Sequence, residues 1–495
     1  MKLKSILMAG IPAVAALCLV SSAQAASDIR PVQLPKSPIS PSTLLIHGLK
    51  DGSIRAPVWN QNFPAGAPHG LNCTPAPCAL PNVEGSNGAT ASVDETPIAV
   101  NPLNKKELIT GGNDYNCTSG SYRGFWVSDD GGKKWSGACG LDVTGESGDG
   151  DPVVGYDLKG NVYQGGIESD GIGIASSSNN GKNWNAMVLI GPVSGESADK
   201  PWLQIDTNAN SPFKNDLYVS NTMFGSGSNS TIYVSHSTDS GKTWTIVAAS
   251  PTAIYPDFVN QFSDLAIGKD GTVYLTYLNC PATSECIGQK STMYIQKSTD
   301  GGNTWSNQVA VDTPTLATGT CGFYGSLPNT CERVSDIPSI GIDNSGGPND
   351  GNLYVVDYNW TGSFMQVHVL TSTDGGNTWS KPVNVAPKSD NHDQFFPWLN
   401  VDSKGNVGVT WLDRRNDPNN LEYEAFATWS SDGGKSFHTN VQIADTASNP
   451  DDDGFGGGFM GDYSGNAWFG KDLFASWTDC RNGSYSQDEV GGLKR

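Results

Sequence analysis

Basic side chains are scarce in this chain: 30 Lys and Arg stand against 50 Asp and Glu over 495 residues, a formal net charge of -20. So acidic a body repels a phosphate backbone or an anionic membrane surface, which excludes nucleic acid as a partner. Arginine is scarcer still, confined to Arg30, Arg55, Arg123, Arg333, Arg414, Arg415, Arg481 and Arg495. An acidic ligand can be held only where several of these meet. No useful window shows helical periodicity. Past residue 20 no apolar run is long enough to cross a bilayer, so no membrane span is expected.

The one apolar run, Ile6 to Val20, follows Lys2 and Lys4 and precedes the small-x-small string Ala23-Gln24-Ala25. It reads as a secretory signal peptide over residues 1–25, and the mature protein is expected to be secreted, extracellular or periplasmic. Export fits the cysteines. Without Cys18, eight of the remaining nine form local couples: Cys73 with Cys78, Cys117 with Cys139, Cys280 with Cys286, and Cys321 with Cys331. These read as disulfide staples, with Cys480 left over. The couples lack the spacing and His neighbours of a zinc site. Residues 26–90 hold ten prolines and little strand alternation, and read as an extended arm.

What the chain has in abundance is one phrase, S-x-D-x-G-x-T-W. Its copies end at Trp135, Trp184, Trp244, Trp305, Trp379 and Phe437, 49 to 74 residues apart. A repeat of that length marks a supersecondary unit that must be stacked to bury its apolar face. In each copy an acidic or amide side chain (Asp130, Asn179, Asp239, Asp300, Asp374, Asp432) can bind the backbone of its own turn, beside glycines suited to positive φ. The degraded second copy fits a structural staple better than a reacting group.

Between the staples the chain alternates short strands and Asp/Gly turns. An inner-strand motif recurs near residues 95, 152, 201, 264, 338, 397 and 462. The fold class predicted over residues 91–495 is all-β, a β-propeller of seven four-stranded blades, the last lacking a staple and closed by both chain ends; six blades plus a hairpin is the alternative. Residues just before first strands and just after second strands then converge around the axis on one face. The first set is Glu95, Asp151, Asp199, Asp264, Arg333 with Asp336, Asp393, and Asp462-Tyr463. The second includes Asn113-Asp114, Asp357, Asn359, Asp413-Arg414-Arg415, and Asp479 with Arg481. Trp411-Leu412-Asp413-Arg414-Arg415 and Trp477-Thr478-Asp479-Cys480-Arg481 repeat one pattern, which suits either ligand binding or ties between blades.

The repeated phrase resembles the Asp-box of the sialidase superfamily, over about residues 92–482. That resemblance implies a tyrosine nucleophile, an acid/base Asp and arginines holding the substrate carboxylate. On it Tyr463, followed by Ser464, is the candidate nucleophile. Asp114 is the candidate acid/base, and Arg415 the third arginine. Asp413 is a second candidate proton donor, and Arg414, Arg481, Asp479 and Arg333 are candidate substrate-binding residues. Departures accompany the likeness: Ile54-Arg55-Ala56-Pro57 lies too early for the family's Arg-Ile-Pro motif, and Asp357 and Asn359 stand where a second arginine would. Tyr463 also reads as a wall residue of the axial channel. No cofactor is implied, although Asp451 and Asp453 lie in a loop whose oxygens would suit calcium. The expected function is a monomeric sialidase-like glycoside hydrolase acting on a glycan or other small acidic or neutral saccharide. The alternative is a non-catalytic propeller binding glycans or proteins of the cell envelope.

Overall fold

The computed structural model describes residues 36–57, 59, 73, 75–118, 121–144, 148–169, 171–191, 193, 195–387 and 391–495. The signal-peptide segment lies outside them. Seven antiparallel sheets succeed one another along the chain, each starting at the axis. Blade two shows the pattern, with strands Gly148–Tyr156, Val162–Glu168, Gly171–Ser177 and Val188–Ile190 paired in sequence order. Inner-strand residues such as Val153, Leu203, Leu265 and Leu399 are buried against the neighbouring blades. Stacking therefore removes from water the apolar face that no single sheet could cover.

Seven blades form the ring, and blade seven closes it. Its strands Gly465–Phe469, Asp472–Asp479 and Gln487–Lys494 come from the C-terminus. Its outer edge is Cys78–Ala79 and Val83–Glu84, which pair with the last strand at Cys78↔Lys494 and Val83↔Val490. The propeller sheet thus begins ahead of residue 91, inside the proline-rich stretch. Nor is that stretch extended throughout. Pro41–Asp51 is a helix, with Pro41 in its first turn and Gly52 at φ 77° ending it.

The staple phrase forms the same turn each time. In blade four the Ser298 hydroxyl donates to Asp300 at 2.8 Å and accepts the Gly302 N–H at 2.9 Å. Asp300 accepts the Thr304 N–H at 2.9 Å and the Thr304 hydroxyl at 2.6 Å. Asn179 does the same work in the degraded copy, accepting Asn183 N–H at 2.9 Å. Gly301 and Gly302 sit at φ 73° and 90°, where a side chain would be strained. Asp300→Ala is expected to lower the melting temperature by a few degrees without altering the axial face. Scanning calorimetry checks this, and an unchanged midpoint would contradict it.

The disulfides join the four expected couples. Cys480 is free and buried, 3.5 Å from the Tyr423 hydroxyl. No helix among the described residues is long and apolar enough to cross a membrane.

Candidate functional site

The inner strands are irregular at their axial ends, and this builds the site. Ladder register shifts between Gly150 and Val153, Asp199 and Trp202, Gln261 and Asp264, and Phe395 and Trp398. At these breaks Asp151, Lys200, Phe262 and Phe396 adopt φ between 47° and 61°, as Glu95 does at 56°. Such bulges re-aim side chains, and non-glycine residues at positive φ persist only where the surroundings enforce them. Here they turn Glu95, Asp151 and Lys200 toward a common cup.

Among the described residues five carboxyls gather there, from Asp94, Glu95, Asp151, Asp199 and Asp462, all buried, while Asp264 accepts the Leu265 and Ile340 N–H groups at 2.7 and 2.8 Å beside the axial cavity. Asn113 bridges the first group, its amide donating to Asp94 at 2.8 Å and Glu95 at 2.9 Å while its oxygen accepts the Asp151 N–H at 2.7 Å. Asp462 is clasped by the Arg333 guanidinium, with Nε at 3.1 Å and a second bond from Nη2. Tyr463 follows it, its hydroxyl donating to the Pro152 carbonyl at 3.2 Å. The Lys200 ammonium lies 3.7 Å from the Tyr463 ring centroid and has no hydrogen-bond partner. Trp202 and Trp398, 4.3 Å apart, form the floor beside Tyr463.

Burial dominates the proton affinities. It raises Glu95 and Asp94 well above the usual carboxylate range, with the neighbouring acids adding to the effect. Burial raises Asp151 as well, less far than Glu95, because its hydrogen bonds and the Lys200 ammonium offset part of the effect. Burial also lowers the Lys200 ammonium and raises the Tyr463 phenol, which the charges of Glu95 and Asp151 raise further.

The cup is lidded by the chain's own arm. The helix Pro41–Asp51 points its N-terminus at the acids: Ser40 N–H donates to Asp199 at 2.8 Å, the Ser42 hydroxyl to Asp151 at 2.7 Å, and the Thr43 hydroxyl to Asp199 at 3.1 Å. Orphan N–H groups and the positive end of the helix dipole thus face concentrated negative charge. Leu45 and Ile46 pack on Tyr115, Tyr122, Phe455 and Phe459. On the far side of the tryptophan floor, a cavity of about 670 Å³ runs down the axis between the inner strands.

Of the residues singled out in the sequence, Tyr463 and Arg333 enter the cup together, joined through Asp462. Asp114 lies on the opposite side of its strand from Asn113, bonded to Asn116 at 2.9 and 2.7 Å. Asp413 accepts the Trp411 indole N–H at 2.7 Å and binds Arg415, which lies 4.4 Å from the Phe426 ring and bonds Asn440 at 3.0 Å. Blade seven repeats the arrangement: Asp479 accepts Trp477 at 3.0 Å and Arg481 at 2.8 Å, and Arg481 reaches Asp445 of the preceding blade connection at 2.6 Å. Arg414 is buried and bonds the carbonyls of Pro328 at 3.0 Å and Asn420 at 3.1 Å. These arginines lie in ties between elements, where guanidinium forks bridge well. Asp453 accepts four backbone N–H groups, from Phe455, Gly457, Gly458 and Phe459, which fills its lone pairs; Asp451 is exposed. Asp114, Cys117 and Cys139 also converge, but the two sulfurs are bonded to each other.

Sequence reasoning placed Glu95, Asp151 and Asp199 around the axis without giving them roles. It missed Lys200, Gln261 and the arm residues Ser40, Ser42 and Thr43. The signal for Lys200 was its place in Asp199-Lys200-Pro201-Trp202, within an inner-strand motif.

The buried acids set a pH dependence. Burial raises Asp199, Asp264 and Asp488 to about 7 and Asp453 to about 6. Their unfolded values lie near 3.9, so their stabilisation is whole below about pH 4 and is lost as pH rises through about 6–7. Asp300 and Asp374 act oppositely. The hydroxyls of Thr304 and Thr378 hold them at about 2, so their contribution exists above about pH 4 and is lost as pH falls through about 2. The melting temperature should peak near about pH 4–5 and decline toward pH 8. A maximum at pH 7 or above would contradict this.

No family model matches the chain, and no curated protein does. Among solved structures, similarity extends to an intramolecular trans-sialidase from Ruminococcus gnavus in complex with oseltamivir carboxylate, at 12% identity over 72% of this chain and 98% of that one, TM-score 0.48. It extends to a Penicillium chrysogenum alpha-L-arabinanase complexed with arabinobiose, at 14% identity over 68% and 92%, TM-score 0.45. A Dyadobacter fermentans protein of unknown function matches at 13% identity over 84% and 98%, TM-score 0.46. Likeness of this degree says nothing about chemistry.

Proposed function

We propose that this chain is an exported glycoside hydrolase whose centre is the axial cup. The observation that carries the reading is Tyr463, buried beside the carboxyls of Glu95 and Asp151 and against two tryptophans. Two carboxyls whose environments push their proton affinities apart are the equipment of acid–base catalysis. Glu95, the protonated partner, donates to the leaving glycosidic oxygen as that bond breaks. The Tyr463 oxygen bonds to the anomeric carbon, its own proton passing to an ionised cup carboxylate. Water, giving its proton to Glu95, then attacks the same carbon; the bond to the Tyr463 oxygen breaks, the sugar leaves, and the phenol takes its proton back from the cup carboxyl. Trp202 and Trp398 offer faces on which a sugar ring stacks. Arg333 and Lys200, the cationic side chains among the described cup residues, hold the substrate's acidic or polar groups. Glu95 and Arg333 thereby take the roles first considered for Asp114 and Arg415.

The second reading, a non-catalytic binding propeller, is favoured by the arm, which covers the cup and satisfies its acids. A panel of aryl glycosides separates the two, assayed on the full chain and on a variant lacking the arm helix. Hydrolysis that falls about a hundredfold or more in both Tyr463→Phe and Glu95→Gln, while Asp114→Asn stays within about twofold of the parent, supports the cup. Turnover unchanged in both cup variants would reject the assignment. Binding of a glycan without turnover would favour the second reading.

A further inference from the structure

Between blades four and five a second cluster of titratable groups sits outside the cup. Asp357, on the second strand of blade five (Leu353–Trp360), stands directly opposite His368 on the third (Met365–Ser372). Cross-strand partners present their side chains on the same face. Asp312 ends the outer strand of blade four (Val309–Asp312) and brings its carboxylate to the same imidazole. Asp336 comes from the segment ahead of blade five, its Oδ1 accepting the Tyr358 N–H at 3.1 Å.

The geometry is that of ligands around a common centre. His368 Nε2 lies 2.6 Å from Asp357 Oδ1 and 3.0 Å from Asp312 Oδ2, and the donor atoms of all three residues fall within 4.8 Å of one another. One ring nitrogen carries at most one proton and cannot donate well to two carboxylates. Adjacent ligands about 2.1 Å from an octahedral ion stand about 3.0 Å apart, as His368 Nε2 and Asp312 Oδ2 do, while Asp357 Oδ1 lies nearer the nitrogen.

A second observation is independent of that spacing. Asp336 and Asp357 are completely buried, yet Asp336 Oδ2 and Asp357 Oδ2 have no hydrogen-bond partner, and Asp357 Oδ1 makes no oriented hydrogen bond to the nearby imidazole. A divalent cation would fill the empty lone pairs of the buried Asp357.

We propose that Asp312, Asp357 and His368 bind a single divalent transition-metal ion, of the zinc or manganese class, that ties blade four to blade five. The imidazole nitrogen selects against calcium and magnesium, which prefer oxygen alone. Asp312, one-fifth exposed at 21%, marks the side from which the ion arrives.

The test uses the full chain, stripped with a chelator, dialysed, and titrated with zinc chloride and manganese chloride by calorimetry while melting is followed. The expected result is saturation at one ion per chain. The melting temperature should rise by about 3 °C at a hundredfold excess over Kd. Asp312→Asn should weaken binding about tenfold or more, and His368→Gln should remove it. X-ray absorption of the zinc-loaded parent should show a single imidazole in an otherwise oxygen shell, a readout independent of whether the variants fold. Absence of binding by both ions to the folded parent would overturn the proposal. So would unchanged affinity in both variants, or a shell containing several imidazoles or any sulfur.

Discussion

Releasing the arm is expected to raise hydrolysis of small aryl glycosides about tenfold or more, equivalent to about 1.4 kcal/mol of cover removed from the cup. Ser40, Ser42 and Thr43 occupy Asp199 and Asp151 with three hydrogen bonds, while Leu45 and Ile46 anchor the helix in a separate aromatic patch. In the covered state the Tyr463 phenol is dry and held protonated, so it is a poor nucleophile. On this reading water and substrate reach it when the helix lifts. Leu45→Asp attacks the anchor without touching the cup, and a chain lacking residues 36–57 removes cover and anchor together. Both should bind saccharides and react faster than the parent. If the freed cup neither binds nor hydrolyses any glycoside while the ring stays folded, the arm is an integral wall and not a lid.

Arg333→Ala should lose about 3–5 kcal/mol of stability, the largest loss expected from a single residue of the cup. Arg333 is 2% exposed and Asp462 1% exposed, and the guanidinium also lies 5.4 Å from the Tyr324 ring and 6.0 Å from Phe262. Truncating the arginine strands Asp462 without a counter-ion, leaving the Ser335 hydroxyl at 3.0 Å and the Ser40 hydroxyl at 3.3 Å. Removing both charges in Arg333→Met with Asp462→Leu should recover much of the loss, because neither buried charge then remains. Urea unfolding checks both variants. Equal losses in the single and double variants would mean the effect is lost packing and not an orphaned charge.

The two halves of the molecule differ in how far they could be read before the fold was seen. The seven-blade ring was legible because its determinants are local. Each staple closes through bonds between residues two to four apart, as from Asp300 to Thr304, and each strand declares itself by short alternation between turns. The closure by both chain ends followed from counting six staples against seven inner strands. The disulfide couples were legible for the same reason, spanning between 5 and 22 residues.

The site was only partly legible. Topology put Glu95, Asp151, Asp199, Asp462 and Tyr463 around one axis, but several arginines assigned there from spacing lie in ties instead. Arg415 and Arg481 repeat because their neighbours Trp411 and Trp477 repeat, each indole donating to the Asp two residues on. A periodic string cannot tell a repeated tie from a repeated ligand.

By itself, then, the sequence determined an acidic all-β ring of blades, six of them stapled, since turns, strands and local disulfides depend on neighbours along the chain. Only the tertiary structure decided which side chains meet. Asp199 and Ser40 are 159 residues apart, and Arg333 and Asp462 are 129 apart. Whether such groups touch depends on bulges of one or two residues at the axial ends of the strands and on where a proline-rich arm comes to rest. Those outcomes are fixed by packing and desolvation summed over the whole ring, which no local window of residues contains.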